Sequence, residues 1–523
     1  MRVICIYSNT EQYRNDLYDM LNLFYEGNIS FQFNADLTKN TSNFEQNNPV
    51  TDILVFCADN VEIQLDFYFR FDNGISANEQ SDSKKSDGIK RIRKTVVQQP
   101  GDVDLKKLKY QLKFMVYQCL QQHRPTVLPW GALVGIRPVK MIESMQQDGL
   151  SESEIIAELK EKYDVSENKT RLCLTVADVE RDILKAAVNE DLAVYIGIPF
   201  CKSKCVYCSF PSDFFNQIDK YSPPYLEALK KEISFAASFI QKHGKRLKSV
   251  YIGGGTPTAL HAGTFNMLLT AVAEMLPMQD LEELTIEAGR PDTIDEEKLE
   301  GICRIFSALR GKALRICINP QTMNDGTLKR IGRTHTAADI VQTFKMARGM
   351  KFGNISMDVI AGLPGEDLAI FRDTLAQIGD LRPESLTVHT LSIKRSSKMN
   401  EFSDRFICPQ TNIVAAMLEE AENFAYSQSM KPYYLYRQKN MLGKLENTGY
   451  TKEGYACAYN IHEMADKMSI LALGAGAVTK IVNSQTGRID RVFNAKNLVE
   501  YINRVDEMIE RKINLLWMIP RIT

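Results

Sequence analysis

From residue 192 onward the apolar residues alternate between two kinds of segment. Short apolar runs near 193–198, 248–252, 284–288, 314–318, 354–360 and 385–391 predict strands. Stretches with apolar positions three and four apart, at 223–242, 262–276, 294–309, 336–350 and 366–379, predict amphipathic helices between them. Strand starts recur every 30–55 residues, the spacing of βα units in a parallel sheet or barrel. Six such units, against the eight of a closed barrel, predict an α/β fold with an open, partial (β/α)6 barrel over 191–408. Residues 1–72 alternate like a small α/β module, with strands at 3–7, 53–57 and 61–71 and a helix at 11–24. Residues 73–101 read as a polar linker, and 102–190 as a helical segment with helices at 103–122, 137–147, 151–162 and 166–189. Residues 130–138 break that segment with a turn. Residues 409–523 predict an α+β region: a helix after Pro409, strands at 432–437, 469–478 and 488–493, and a helix at 496–512. The last ten residues fit no element well, as an atypical or a truncated terminus would.

Composition changes this picture little. The 523 residues are 44% hydrophobic and 25% charged, with a net charge of −1, so no global field draws the chain to nucleic acid or membranes. No run of about 18 apolar residues predicts a membrane span, and the first seven residues look like a strand and not a signal peptide. The basic residues Lys84, Lys85, Lys90, Arg91, Arg93 and Lys94 fit contact with an acidic partner or, the favoured reading, a solvated loop. The expectation is a cytoplasmic monomer. Eleven cysteines, an odd number scattered along a large chain, fit a reducing compartment better than a disulfide framework.

Three of those cysteines do change the picture. Cys201, Cys205 and Cys208 follow the first barrel strand with the spacing C-x3-C-x2-C. Three thiolates so spaced can hold three irons of a four-iron cube and leave the fourth open for chemistry. Zinc is the rival, but it wants a fourth ligand, and no His or Cys follows within 25 residues.

Catalytic groups of a βα barrel come from the C-terminal strand ends. Here those ends carry, in order, the cysteines, Gly253-Gly-Gly-Thr-Pro-Thr258, Glu287, Asn319-Pro-Gln321, Asp358 with Ala361-Gly-Leu-Pro-Gly365, and His389 leading to Ser392. The triple glycine fits either an anion-binding nest or a tight packing turn. It is not a Walker A motif, because no Gly-Lys-Ser/Thr follows. Glu287 fits either a ribose diol or an ion pair with Arg290 or Arg315. Arg333 and Asp358 fit either the two ends of a zwitterion or a salt bridge. His335 and His389 fit either the scaffold or a base.

Taken together, Tyr195-Ile-Gly-Ile-Pro-Phe-Cys201, Cys205-Val-Tyr-Cys208, Gly253-Gly-Gly-Thr-Pro-Thr258, Glu287-Ala, Arg333-Thr-His335, Met357-Asp-Val-Ile-Ala-Gly-Leu-Pro-Gly365 and Leu473-Gly-Ala-Gly-Ala-Val-Thr479 resemble the radical S-adenosylmethionine (SAM) superfamily. Within it the chain resembles the oxygen-independent coproporphyrinogen III oxidase family, in the HemZ-type branch with an extra N-terminal domain. The resemblance covers about 190–500. It implies that Cys201, Cys205 and Cys208 ligate a [4Fe–4S] cluster, with SAM on the open iron. Tyr195, Gly254, Glu287 and Val478 match the family's positions around that SAM. Tyr207, Gly255, Thr256, Gln321, Arg333, Asp358 and Ser392 match a second SAM site. Two positions depart from the family: Gly197 stands where its strand-one histidine does, and Phe210 where the well-studied oxidases carry a further Cys.

The implied activity is oxidative decarboxylation. An external low-potential donor reduces the cluster, SAM splits to a 5′-deoxyadenosyl radical, and two propionates of coproporphyrinogen III become the vinyls of protoporphyrinogen IX. The carboxylates of such a tetrapyrrole need cations, for which Lys394, Arg395, Arg437, Lys439, Lys480, Arg488 and Arg491 are the candidates. The alternatives in the same family are a haem-binding chaperone and a radical enzyme acting on haem or another substrate.

Overall fold

A computed structural model describes residues 3–8, 13–25, 29–33, 51–58, 62–70, 89–97, 105–123, 125–135, 137–210, 217–309, 311, 313–394, 396–402, 405–438, 440–483 and 486–517. The backbone falls into two compact units, Met1–Gly135 with Ser151–Thr170, and Ile136–Leu150 with Arg171–Thr523.

The first unit is built on β1 (Val3–Ser8), α1 (Arg14–Tyr25), β2 (Ile29–Phe33), β3 (Thr51–Ala58), β4 (Glu62–Arg70), β5 (Ile89–Val97) and α2 (Leu105–His123). Its sheet runs β2-β1-β3-β4-β5, parallel around β1 and antiparallel from β3 onward. Leu17, Met20 and Leu21 of α1 share a core with Met115, Val116 and Leu120 of α2. Two strands here correct the sequence reading. β2 was not expected, and β5 occupies part of the span read as a polar linker, including Lys90, Arg91, Arg93 and Lys94. β5 is the edge of its sheet. Lysine and arginine are common on edge strands, where charge discourages pairing with other chains, and they disguise such a strand as a loop. Lys84 and Lys85 lie outside the described residues.

Helices α3 (Val139–Gln147), α4 (Glu152–Tyr163) and α5 (Glu167–Ala186) follow. A capping box between Ser151 and Glu154 starts α4.

The second unit carries an eleven-stranded sheet. Its centre is β6 (Asp191–Ile198), β7 (Arg246–Gly254), β8 (Glu283–Glu287), β9 (Leu314–Gln321), β10 (Asn354–Ala361) and β11 (Ser385–Thr390), adjacent in sequence order and all parallel. Between them run α6 (Ile218–Lys242), α7 (Ala262–Met275), α8 (Glu296–Ile305), α9 (Asp325–Arg330), α10 (Ala337–Gly349) and α11 (Leu368–Leu381). Val194, Ile196, Val250, Ile252, Ile286, Ile316, Met357 and Val359 are buried almost without alternation, as strands covered on both faces must be. Side-chain caps from Asp295, Asn324, Thr336 and Asp367 start four of these helices.

After α12 (Lys398–Glu401) and α13 (Thr411–Ser427) the chain adds β12 (Lys431–Tyr436), β13 (Asn447–Thr451), α14 (Ala458–Ala465), β14 (Ser469–Leu473), β15 (Val478–Val482), β16 (Ile489–Phe493), α15 (Leu498–Asn503) and α16 (Val505–Trp517). These strands extend the same sheet at both ends. The order is β12-β13-β11-β10-β9-β8-β7-β6-β14-β15-β16, with β14 parallel to β6 and β13 antiparallel to β11. The single strand expected at 469–478 is two, because Gly474 (φ +98°) and Gly476 (φ +70°) turn the chain between β14 and β15. The closing helix reaches Trp517, beyond the expected end.

Candidate active site at the C-terminal strand ends

The three thiols sit in the loop leaving β6, and backbone and buried side chains fix that loop from several directions. The Val206 amide donates to Ile331 O at 3.1 Å, and the Met399 amide donates to Val206 O at 2.9 Å. The Ser203 hydroxyl donates to Gly332 O at 3.1 Å. Arg290 Nη1 donates to Ser203 Oγ at 2.8 Å, while its Nε pairs with Asp292 at 3.1 Å. Asp292 also accepts from the Thr334 hydroxyl at 2.8 Å and faces His335 Nδ1 at 3.4 Å. Burial alone would raise the Asp292 carboxyl, but His335, Arg290 and Thr334 hold it well below the carboxylate range. His335 thus belongs to the scaffold of the cysteine loop.

Cys205 is buried and Cys201 and Cys208 are partly covered. Burial, then the neighbouring Cys205 and Cys201, push the Cys208 thiol up. A cationic cluster relieves that repulsion when it takes the thiolates. Among the described residues, no three His, Cys, Asp or Glu side chains converge as ligands of a single ion.

The glycine turn after β7 packs on the end of β6. Gly255 N donates to Ile198 O and Thr256 N to Phe200 O, both at 2.7 Å. A Cβ on Gly255 would lie 2.5 Å from Phe200 O and 3.0 Å from Cys201 Sγ. The Gly254 amide serves the Glu287 carboxylate. With all three amides engaged, the turn is a packing device and not an open nest. Thr256 Oγ1 lies 3.6 Å from Cys201 Sγ.

Glu287 ends β8 and accepts from the Tyr251 hydroxyl at 2.6 Å. Neither arginine weighed as its partner reaches it. Arg290 serves the cysteine loop, and Arg315 is buried across the sheet against Ser356 Oγ (2.8 Å) and Ser385 Oγ (3.3 Å). Burial pushes the Glu287 carboxyl up to about 7, against the Tyr251 and Gly254 hydrogen bonds. Tyr195 stacks with Tyr251 (6.1 Å) and Tyr459 (6.3 Å), and burial with the nearby Glu287 raises its phenol. Tyr195 and Val478 line one cavity of about 220 Å³, together with Gly197, Phe210, Tyr459 and the β14–β15 turn. The two departures from the family pattern therefore face the same space. Tyr251 and Tyr459 were missed in the sequence, since an isolated tyrosine carries no signal of stacking.

The second-site candidates fall into groups. Arg333 Nη2 donates to the Tyr207 hydroxyl at 3.3 Å and its Nη1 to Asn319 O at 2.6 Å. Gln321 ends β9 in the left-handed region (φ +70°), opposite a register shift in β10 between Met357 and Val359. Pro320 has no N–H for the ladder, which favours a bulge there. Arg333 Nε, Gln321 Oε1 and Asn319 Oδ1 are buried without a hydrogen-bond partner, positions that a ligand or water can fill. Asp358 pairs with His389 (3.7 Å) and not with Arg333. Ser392 lies further along, bridged to Met441.

Among the five candidate cations that are described, three are engaged elsewhere. Lys480 is buried against Glu463 (2.7 Å) and Asp466 (3.0 Å). Arg437 is buried and donates to Lys444 O at 2.7 Å. Arg488 pairs with Asp490 at 2.9 Å. Arg491 is exposed, and Lys394 is half-buried beside Gln438. Arg395 and Lys439 lie outside the described residues.

A parallel six-unit barrel with three thiols after its first strand is the framework of a radical SAM domain, and the Radical SAM superfamily pattern matches residues 195–378. The chain is 36% identical to the oxygen-independent coproporphyrinogen-III oxidase-like protein HemZ of Bacillus subtilis, over 79% of this chain and 81% of that one. It is 26% identical to the heme chaperone HemW of Escherichia coli, over 63% and 84%. The solved coproporphyrinogen III oxidase HemN of Escherichia coli matches at 21% identity and a TM-score of 0.48, over 64% and 73%. The chain belongs to the oxygen-independent coproporphyrinogen III oxidase-like family of the radical SAM superfamily. Membership implies a [4Fe–4S] cluster and SAM. The residues present fit both: a soft three-thiol donor set, an adjoining cavity, and buried polar atoms lacking partners. No helix among the described residues is long and apolar enough to cross a membrane.

Proposed function

We propose that the chain is a cytoplasmic radical SAM oxidoreductase that converts propionates of coproporphyrinogen III to vinyls, yielding protoporphyrinogen IX. The observation that carries this reading is the convergence of the cysteine loop, the glycine turn, Glu287 and the Tyr195–Val478 cavity on one end of the sheet. Cys201, Cys205 and Cys208 would hold the cluster. When bound, cluster and SAM supply one-electron cleavage of the sulfonium and hydrogen abstraction beside a carboxylate. Glu287, already polarised by Tyr251, suits the ribose diol of SAM. The Tyr195, Tyr251 and Tyr459 stack walls the site and keeps water from it. Arg333, Gln321 and Asp358 would serve a second SAM.

A chaperone role is the second reading. Similarity to HemW favours it, as do Gly197 and Phe210, which line the cavity where the family's oxidases carry other residues. Anaerobic incubation of the reduced, reconstituted protein with SAM and coproporphyrinogen III tests the choice. Vinyl-bearing porphyrinogen, absent with Cys205→Ala, is the expected product. A Soret band with added haem and no such product would replace the oxidase reading with the chaperone.

A further inference from the structure

The turn between β14 and β15 is tied to a charged pair that has no contact with water. Glu232 of α6 and Lys512 of α16 are both fully buried, with Nζ 2.5 Å from Oε1. Burying two charges costs several kcal/mol, and an apolar pair of similar volume commonly joins two helices as well or better. Helix packing alone therefore does not account for this pair. What an apolar pair lacks is a grip on backbone. Glu232 Oε2 accepts from the Gly474 amide at 2.7 Å and from the Tyr501 hydroxyl at 2.6 Å. Its Oε1 accepts from Asn494 Nδ2 at 3.0 Å. Asn494 Nδ2 also donates to Gly474 O at 2.8 Å, while Lys512 Nζ fixes the Asn494 carbonyl oxygen at 2.6 Å. Both polar groups of the Gly474 backbone thus end on the charged pair or on the amide it orients.

Only glycine fits at 474. Its φ is +98°, and a Cβ there would lie 2.3 Å from Gly197 O. The Tyr225 hydroxyl donates to that same Gly197 O and accepts from the Ala475 amide at 3.3 Å. The next four residues, Ala475, Gly476, Ala477 and Val478, form one wall of the cavity whose other wall is Tyr195.

We propose that Glu232 and Lys512 are a positioning pair for SAM, holding the 474–478 turn at the separation from Tyr195 that the nucleotide needs. The inference rests on the reading of this cavity as the seat of cluster-bound SAM. It gives α16 a part in holding the turn, although neither Glu232 nor Lys512 lines the cavity.

The test is a titration of the anaerobically reconstituted, reduced protein with SAM, following the perturbation of the cluster's electron paramagnetic resonance signal. The rate of deoxyadenosine release is measured in parallel. In the Glu232→Gln/Lys512→Met double variant, half-saturating SAM rises by about tenfold, some 1.4 kcal/mol. Iron and sulfide content and the rate at saturating SAM stay unchanged. Tyr501→Phe, which removes the hydroxyl that Glu232 and the Gly474 backbone share and preserves packing, raises it by about threefold. The control is Arg348→Met/Glu384→Gln, which removes another ion pair (2.8 Å) at the opposite, N-terminal end of the sheet and leaves the SAM titration unchanged. An unshifted titration in Tyr501→Phe overturns the proposal, whether or not the double variant folds. An equal shift in the control overturns it too, since the effect would then be general loosening. A wild-type signal that does not respond to SAM overturns the reading of the cavity itself, a distinct failure.

Discussion

Glu287 is a carboxylate held among tyrosines, and its protonation leaves a measurable trace. Burial raises it from the usual 4.5 to about 7, so the folded protein keeps a proton that the unfolded chain loses between those values. The stability this proton confers is complete below about pH 4.5 and disappears as the pH climbs to about 7, a fall of at most about 3 kcal/mol. Apo-protein melted between pH 5 and pH 8 should show that decline, and Glu287→Gln should remove its share, while Glu180, pushed up to about 9 by burial, keeps a decline of its own. An identical slope in both proteins would mean that Glu287 contributes nothing to it. Arg333 offers a second test at this scale. Its Nε has no partner, while its other nitrogens are fixed by Asn319 and Tyr207. If a SAM carboxylate completes it, Arg333→Ala should weaken second-site binding by about 1.5–3 kcal/mol. Equilibrium dialysis of radiolabelled SAM, counting two sites in the wild type and one in the variant, checks this. Two full sites in the variant would remove Arg333 from the assignment.

Among the elements, the cysteine loop depends most on residues that the sequence did not advertise. Asp292 gathers Arg290, Thr334 and His335, and Arg290 in turn holds Ser203 between the first two cysteines. Asp292→Ala leaves a buried guanidinium unpaired, at a cost of about 3 kcal/mol. The loop should then reconstitute with less iron and be cut sooner by protease, while the circular dichroism of the barrel persists. Unaltered iron content would show that the backbone bonds to Ile331 and Met399 suffice. The elements that the sequence did reveal share one physical cause. β6 to β11 are buried on both faces, and four of the helices between them begin at side-chain caps, so local pattern located all six units. β13 escaped because its buried residues are polar: Asn447 accepts from the Thr390 amide, and the Thr451 and Ser385 hydroxyls bond to each other. Side-chain hydrogen bonds, which no hydropathy pattern records, made that strand possible. The cysteine spacing identified the cluster loop for a similar reason, since three thiols within eight residues need no tertiary knowledge. The Glu232–Lys512 pair spans 280 residues and had no such local mark.

At the scale of the barrel unit, the tail after Pro409 is a continuation of the sheet and not an appendage. It supplies β14, which covers the free side of β6, and β13, which covers the free side of β11. Buried residues from α13 and from the last two helices, among them Met417, Ala421, Tyr501 and Met508, belong to the same apolar core as the six barrel strands. Ending the chain at Pro409 would therefore uncover both outer barrel strands at once. It would also strand Glu232 without Lys512 or Tyr501. Unpaired, apolar parallel edges are templates for association, and an uncompensated buried carboxylate costs about 3–5 kcal/mol. The shortened chain should collect in the insoluble fraction and take up no cluster on reconstitution, although every cysteine remains. Soluble, iron-loaded protein from that truncation would mean that the six units fold as a self-sufficient domain, and the boundary read near 408 in the sequence would then be a true one.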